Sequence, residues 1–308
     1  MAAVSERLHG IIPPVCTPMT DEHDVDTASL EKLVGFLLAG GVHGLFVLGS
    51  TSEVAVLTGT QRATVIDVAV RATGGHVPVF AGVIDTATDR VIEHARVAEK
   101  GGVDGLVVTS PFYVRPSQDE VKRHFRMVRE AVDLPILAYD IPSAVQTKLD
   151  RATVLRLAEE ELIVGIKDSS GDDANFRGLV LEMRRHPGFA AFTGSELLVD
   201  AAMLIGARGS VPGLGNVDPH GYVRLYNAAR ACDWVTARAE QERLFGLFSF
   251  VRTATDRMGF TASALGAFKT ALMLRGVIAT NMLGRPLPRY NDEESARVRV
   301  RLQEVGLL

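Results

Sequence analysis

Eight short apolar segments recur along the chain, and this repetition restricts the possible folds more than any other feature. They begin on average about 28 residues apart, which suits one strand, one helix and two short loops per unit. Their nearly continuous apolar character is typical of strands that are buried on both faces, as in parallel sheets. The segments span residues 10–16, 44–48, 77–83, 105–108, 135–139, 163–166, 189–192 and 209–211.

The stretches between these segments carry helix patterns. Leu30, Leu33 and Leu37 have the spacing of one helix face, and Ser117 and Asp150 stand where helices are expected to begin. Eight strand–helix units in succession predict an α/β fold, a (β/α)8 TIM barrel with parallel strands. A doubly wound open sheet is the alternative, because the number of units does not prove that the sheet closes.

The pattern changes after about residue 225. Residues 228–251, 262–275 and 293–305 are predicted to be helices, with no strand between them. We therefore expect a barrel catalytic domain over residues 1–225 and a C-terminal helical extension over residues 226–308. No long Ser/Gly/Pro-rich linker separates the two, so the extension is expected to be docked rather than tethered.

The charge balance excludes several classes of partner. The chain has 33 Lys and Arg against 37 Asp and Glu, a formal charge of −4. No basic stripe or polybasic patch indicates nucleic acid or a membrane surface as a partner. The first residues lack the pattern of a signal peptide, and no apolar run approaches the roughly 20 residues that span a bilayer. These features predict a cytoplasmic protein that acts on a small molecule.

Several common cofactor and metal motifs are missing from the sequence. It contains neither a G-x-G-x-x-G nor a G-x-x-x-x-G-K-[ST] segment. The two cysteines, Cys16 and Cys232, form no zinc quartet or disulfide framework, and the eight histidines are scattered without an H-E-x-x-H pair. We expect no metal and no cofactor.

The C-terminal ends of the strands are where a barrel of this kind builds its active site. Lys167 directly follows the apolar segment 163–166, so its amine is expected at the barrel mouth. Desolvation there would lower the lysine pKa and make the amine nucleophilic near neutral pH. Tyr139 ends the preceding strand and could transfer a proton. The alternatives are a lysine paired with Asp168 or Asp140, and a core tyrosine.

The loop at residues 49–53 offers hydroxyl and backbone N–H groups. Ser50 and Thr51 lie between the second strand and the next helix, where such groups suit a substrate carboxylate. Ordinary turn and capping chemistry is the alternative explanation. The glycine-rich segment 209–215 has only Arg208 as a basic neighbour, so a tight turn is favoured there over a phosphate site.

Four segments together resemble a known family of lysine-dependent enzymes. Residues 49–53 (GSTSE) resemble its G-[ST]-T-G-E loop, residues 110–116 (SPFYVRP) its P-[YF]-Y-x-[RKP] loop, and residues 138–142 (AYDIP) its Y-N-[IV]-P stretch. Residues 165–171 (GIKDSSG) resemble the segment around the family's Schiff-base lysine. The sequence is thus similar to the dihydrodipicolinate synthase and N-acetylneuraminate lyase superfamily, over essentially the whole chain.

The resemblance implies a role for each matching residue. Lys167 would form an imine with pyruvate or another 2-keto acid, and Tyr139 would transfer protons. Ser50 and Tyr113 would form a proton relay, with Tyr113 reaching across a dimer interface. The family is commonly a homotetramer, a dimer of dimers, with a (β/α)8 barrel and a C-terminal helical extension.

The resemblance also implies the residues that hold the substrate. Thr51 and the Val211 backbone match positions that bind the keto-acid carboxylate, and Gly194 lies in the floor of the same pocket.

Three departures from the family pattern bear on the substrate. Ala144 stands where dihydrodipicolinate synthases carry an arginine that grips the aldehyde's carboxylate, Ser52 replaces a glycine, and Asp140 replaces a frequent asparagine. Asp140 could bind sugar hydroxyls. We therefore predict an aldolase or dehydratase that acts on pyruvate or a 2-keto-3-deoxy sugar acid. The alternatives are 4-hydroxy-tetrahydrodipicolinate synthase, which joins pyruvate to aspartate semialdehyde, and a non-catalytic keto-acid-binding barrel.

Overall fold

A computed structural model describes residues 7–308 and contains one eight-stranded sheet. Its order is β1-β8-β7-β6-β5-β4-β3-β2, so consecutive strands are neighbours, and every pairing is parallel. Each predicted apolar segment contains or overlaps one strand. The strands are β1 (Gly10–Ile11), β2 (Leu45–Val47), β3 (Val79–Gly82), β4 (Gly105–Thr109), β5 (Ile136–Asp140), β6 (Gly165–Asp168), β7 (Ala190–Thr193) and β8 (Gly209–Ser210).

The sheet curls until its two edge strands meet. β1 pairs with β8 on one side. On the other side, the segment after β1 forms a parallel bridge to β2 between Pro14 and Phe46, and the Val15 N–H donates to the Phe46 carbonyl at 2.8 Å. The chain is therefore a (β/α)8 barrel as predicted, and the open-sheet alternative is wrong.

Helices follow the strands and cover the barrel. Ser117 caps its helix as predicted, in a reciprocal capping box with Glu120. Asp150 also precedes a helix, but its side chain makes no capping hydrogen bond. The α-helices of the barrel are α1 (Thr27–Ala39), α2 (Gly59–Thr73), α3 (Thr88–Lys100), α4 (Gln118–Ala131), α5 (Pro142–Val145), α6 (Arg151–Glu159), α7 (Asp173–Met183), α8 (Val199–Ile205) and α9 (Pro219–Arg230).

The C-terminal helices differ from the prediction at one point. Residues 228–251 were expected to form a single helix, but α9 ends at Arg230 and α10 (Trp234–Phe248) follows. Asp233 accepts a hydrogen bond from the Thr236 N–H and so begins a new helix, while Cys232 takes a left-handed conformation between the two. The predicted domain boundary at residues 225/226 lies within α9, and the helices after α9 are called the extension below.

The extension consists of α10, α11 (Phe260–Leu274) and α12 (Asp292–Glu304), and it is docked on the barrel. The Lys269 ammonium of α11 forms an ion pair with Glu53, which follows β2, and both side chains are buried (0% and 1% exposed). Lys269 also donates to the Met282 carbonyl at 2.8 Å, and the Gly284 N–H donates to Glu53 at 2.6 Å. This buried polar cluster fixes the extension to the loop of residues 49–53.

The described residues were also searched for membrane-spanning helices. Among residues 7–308, no helix combines the length and the apolar character needed to cross a bilayer.

Candidate active site

A cavity of about 280 Å³ lies at the C-terminal ends of the strands and brings most of the predicted site residues together. Six of the eight predicted residues line it. They are Ser50, Thr51, Tyr139, Lys167, Gly194 and Val211. The barrel thus gathers residues from β2, β5, β6, β7 and β8 into one site, as the positions of the strand ends predict.

Lys167 lies in β6 with its side chain in this cavity and is only 4% exposed. Its amine stands 4.2 Å from the ring centre of Tyr139 and 5.0 Å from that of Phe46. Within the part of the chain that the structure describes, no carboxylate forms an ion pair with it. The alternative of a structural lysine paired with Asp168 or Asp140 is therefore wrong.

Asp140 is a correction to the predicted site. Consecutive residues of a strand point to opposite faces, so Tyr139 enters the cavity while the Asp140 carboxylate turns away from it. That carboxylate forms an ion pair with Lys148 and accepts a hydrogen bond from the Leu149 N–H at 3.1 Å. Burial raises the pKa of Asp140, and Lys148 opposes this shift. Asp140 thus helps to hold the segment after α5, and it is not among the described residues that line the cavity.

The loop with Ser50 and Thr51 is anchored by its neighbour Ser52. The buried Ser52 hydroxyl donates to the Val15 carbonyl, and the Thr17 hydroxyl donates to the Ser52 carbonyl at 2.8 Å. Both contacts fasten the loop to the segment that follows β1. The serine that replaces the family's glycine therefore stabilises the loop and leaves the hydroxyls of Ser50 and Thr51 to line the cavity.

Gly194 lines the cavity, and a side chain at this position would crowd two neighbours. A Cβ at this position would lie 2.0 Å from the Ser169 hydroxyl oxygen and 3.1 Å from Cε of Lys167. The first distance is far inside van der Waals contact. An added methyl group would therefore force the Ser169 hydroxyl to rotate away and would crowd the end of the Lys167 side chain.

We expect Gly194→Ala to impair the site by displacing Ser169 and the Lys167 side chain. A misplacement of about 1 Å can cost on the order of 100-fold in rate, so we expect a loss of that size in the reaction of Lys167 with keto acids. Gly246→Ala is the matched control, because nothing lies within 4 Å of its added Cβ in α10. Rates measured for both variants check this prediction. Equal rates would show that a side chain at position 194 does not disturb the site.

Tyr113 is not brought to the cavity of its own chain. Its side chain is 90% exposed, and its backbone is held in the left-handed region at a φ of 76°. Such a conformation costs a non-glycine residue about 1–3 kcal/mol. The loop after β4 therefore presents this tyrosine to the outside of the barrel.

The sequence analysis missed one polar residue and one entire wall of the cavity. Glu196 lines the cavity two residues after Gly194. Its place in the loop after β7 was a signal that we could have used. The extension supplies an apolar wall that no sequence pattern predicts. The wall residues are Phe248, Phe260, Ala264, Leu265 and Phe268, with Thr261 among them.

Glu196 has an unusual environment for a carboxylate. Its Oε1 accepts a hydrogen bond from the Leu214 N–H at 2.9 Å. Burial raises the pKa of Glu196 to about 7, although Leu214 and the positive charge of Lys167 both favour the ionised form. The group is therefore divided between its acid and base forms near neutral pH.

Comparison with known proteins identifies the family. The family model described as the dihydrodipicolinate synthetase family matches residues 7–305. The chain belongs to this family. A protein named as an uncharacterized DapA-like lyase of Halobacterium salinarum is 35% identical, with 98% of this chain and 95% of that protein covered. A 4-hydroxy-tetrahydrodipicolinate synthase of an Azoarcus species is 34% identical over 83% of this chain and 90% of its own.

Solved structures of the dihydrodipicolinate synthetase family share the fold. YagE, a prophage protein of Escherichia coli K12 whose structure holds pyruvate, superposes with a TM-score of 0.91 at 28% identity, with 97% of this chain and 99% of that chain covered. The present chain is therefore a lyase of this family.

In residues 7–308, no three His, Cys, Asp or Glu side chains are grouped so that they could hold a metal ion.

Proposed function

We propose that the protein is a Schiff-base lyase whose Lys167 forms an imine with pyruvate or another 2-keto acid. The observation that carries this proposal is the Lys167 amine itself. It is buried in the cavity, beside the Tyr139 ring, without a carboxylate partner among the described residues. Lysines that form Schiff bases are typically held in such apolar pockets, where the amine can meet a substrate carbonyl group.

The proposed reaction begins at the keto carbon. The Lys167 nitrogen adds to that carbon, and the carbonyl oxygen leaves as water. The protonated imine withdraws electrons, so a proton or a carbon group on the neighbouring carbon can leave and an enamine forms. Tyr139 would transfer protons in these steps. Its place in the cavity lining, with the ring centre 4.2 Å from the lysine amine, supports this role.

The keto-acid carboxylate would be held by groups that follow β2 and β8. Ser50 and Thr51 supply hydroxyls from the loop after β2, and Val211 supplies backbone from the end of β8. Two hydroxyls and backbone groups suit a carboxylate. Gly194 leaves the space that the keto acid needs above Lys167.

Tyr113 would complete the proton relay with Ser50 in a second copy of the chain. Its 90% exposure and its strained backbone agree with a residue that serves a neighbouring subunit. On this basis we propose a homotetramer, a dimer of dimers, in which each cavity receives Tyr113 from its partner.

A keto acid whose remaining carbons carry only neutral hydroxyl groups fits the cavity better than a reaction that brings in the second carboxylate of aspartate semialdehyde. Lys167 is the one cationic residue of the described lining, and Glu196 supplies a negative group. A second substrate carboxylate would meet Glu196 with no arginine to compensate. We therefore favour a 2-keto-3-deoxy sugar acid as substrate, cleaved or dehydrated. The names of the relatives favour 4-hydroxy-tetrahydrodipicolinate synthase as the second candidate.

Exchange of the pyruvate methyl protons with D2O tests the proposal without knowledge of the second substrate. The wild-type protein should catalyse this exchange, because the enamine forms and is reprotonated. Tyr139→Phe should lower the exchange rate about 100-fold or more, since general acid–base groups contribute about 10²–10⁴-fold. Proton NMR measures both rates. No exchange by the wild type would contradict the proposed enamine, and an unchanged rate in the variant would remove Tyr139 from its role.

A further inference from the structure

The cavity contains one carboxylate for which imine formation has no use. In the proposed function, carboxylate binding is assigned to Ser50 and Thr51, proton transfer to Tyr139, and the nucleophilic amine to Lys167. Glu196 is the one acidic side chain among the described lining residues, and none of those steps requires it.

Several contacts hold Glu196 in place. Its backbone carbonyl accepts hydrogen bonds from the Tyr222 hydroxyl at 3.2 Å and from the Gln241 side-chain amide at 3.0 Å. Its carboxylate packs directly on Gly213, where a Cβ would lie 2.7 Å from Oε1. α9, α10 and the loop after β8 thus combine to direct this side chain into the cavity.

From this geometry we propose that Glu196 is the acid–base residue that acts on the substrate hydroxyl two carbons away from the imine carbon. The inference rests on the proposed function and narrows it to substrates that carry such a hydroxyl. In both cleavage and dehydration a proton must move at that oxygen, and the other polar lining residues are already assigned or are plain hydroxyls.

Each of the two reactions uses a different form of Glu196. In cleavage, the carboxylate accepts the hydroxyl proton, the bond between the third and fourth carbons breaks, an aldehyde leaves and the electron pair enters the imine to give the enamine. In dehydration, the enamine is already formed, and the protonated carboxyl gives its proton to the departing hydroxyl. The bond from the fourth carbon to oxygen breaks, and water leaves.

The charged and titratable groups around Glu196 are few. Lys167 of β6 and Tyr139 of β5 line the same cavity, and the charge of Lys167 favours ionised Glu196. The pKa of Tyr222 in α9 is raised well above its usual value by burial, Glu196 and Asp218, while Arg243 opposes the shift. Lys167 keeps its positive charge as the protonated imine. With a pKa of about 7, Glu196 supplies base above neutrality and acid below it.

The pH profile therefore identifies the reaction. Cleavage needs the carboxylate form, so its rate should rise as the pH increases through about 7. Dehydration needs the protonated form, so its rate should fall over the same interval. In either case, the change of rate near neutral pH reflects the titration of Glu196, and it should disappear when this residue is replaced by one that does not titrate.

The test compares wild type, Glu196→Gln, Glu196→Asp and the control Glu182→Gln, which makes the same chemical change on α7, outside the cavity. The probes are 2-keto-3-deoxygluconate and 2-keto-3-deoxygalactonate, with pyruvate and dehydrated keto acid as the measured products. Borohydride trapping with pyruvate is run on every variant, and a trapped adduct shows that the variant is folded.

We expect Glu196→Gln still to trap pyruvate. Its turnover of the probe that wild type consumes faster should fall about 100-fold, and the change of that rate with pH near neutrality should be lost. Glu196→Asp should restore part of the rate and of its change with pH, and Glu182→Gln should match wild type. The inference fails if Glu196→Gln keeps the wild-type turnover rate and its change with pH. It also fails if pyruvate trapping by this variant falls as much as its turnover, or if a wild-type protein that traps pyruvate consumes neither probe. A wild type that traps no pyruvate overturns the proposed function as well.

Discussion

Replacing Lys167 with alanine should abolish turnover while the protein stays folded. The variant lacks the nitrogen that forms the imine, so pyruvate proton exchange should fall by about 10⁴-fold or more, as for other lost nucleophiles. Among the described residues Lys167 forms no ion pair, so its removal breaks none. The lost contacts are those with the Tyr139 and Phe46 rings, worth about 0.5–2 kcal/mol each.

Exchange rates and thermal unfolding check this prediction together. Lys122→Ala is the matched control, because this lysine forms its ion pair with Asp119 on the surface of α4. It should keep the wild-type exchange rate. Exchange at the wild-type rate by Lys167→Ala would remove Lys167 from the mechanism. An unfolded Lys167→Ala protein would show that the residue is mainly structural.

Lys269→Met should destabilise the protein more than any surface change. Lys269 pairs with Glu53 at a fully buried position, and Glu53 is also held by the Gly284 N–H. Removing one partner of a buried ion pair costs about 3–5 kcal/mol, because the other charge stays buried without compensation. The loop at residues 49–53 should also loosen, so the KM for pyruvate should rise more than kcat falls.

Denaturant unfolding of single and double variants measures this effect. Adding Glu53→Gln to Lys269→Met removes the orphaned charge and should restore part of the lost stability. Lys122→Met serves as the control, since a surface pair contributes about 0–1 kcal/mol. A Lys269→Met protein as stable as wild type would contradict the account of how the extension supports the loop.

The sequence predicts the barrel well because each strand–helix unit has a local pattern of apolar residues and this pattern is repeated eight times. Each strand is a short apolar run, and Lys167 and Tyr139 directly end such runs, so strand ends alone bring them together. The error at Asp140 arose from strand alternation. Tyr139 and Asp140 are adjacent in β5 and therefore cannot both face the cavity.

Other features depend on contacts between distant parts of the chain. The apolar wall comes from α11 and from the last residue of α10, Phe248. No periodicity in those helices shows which face meets the barrel mouth. The ion pair of Glu53 with Lys269 joins residues far apart in sequence, so the loop motif alone gives no sign of its partner. The break at residues 231–233 follows from local capping by Asp233, which competed with a continuous helix pattern.

The most direct test of the central claim is borohydride reduction in the presence of pyruvate, followed by digestion and mass mapping. The account predicts one pyruvate-derived adduct on the peptide that contains Lys167, and no adduct on the peptide of the other buried lysine, Lys269. A folded protein that gives no adduct with pyruvate or with longer 2-keto acids, or an adduct on a different lysine, would contradict the account.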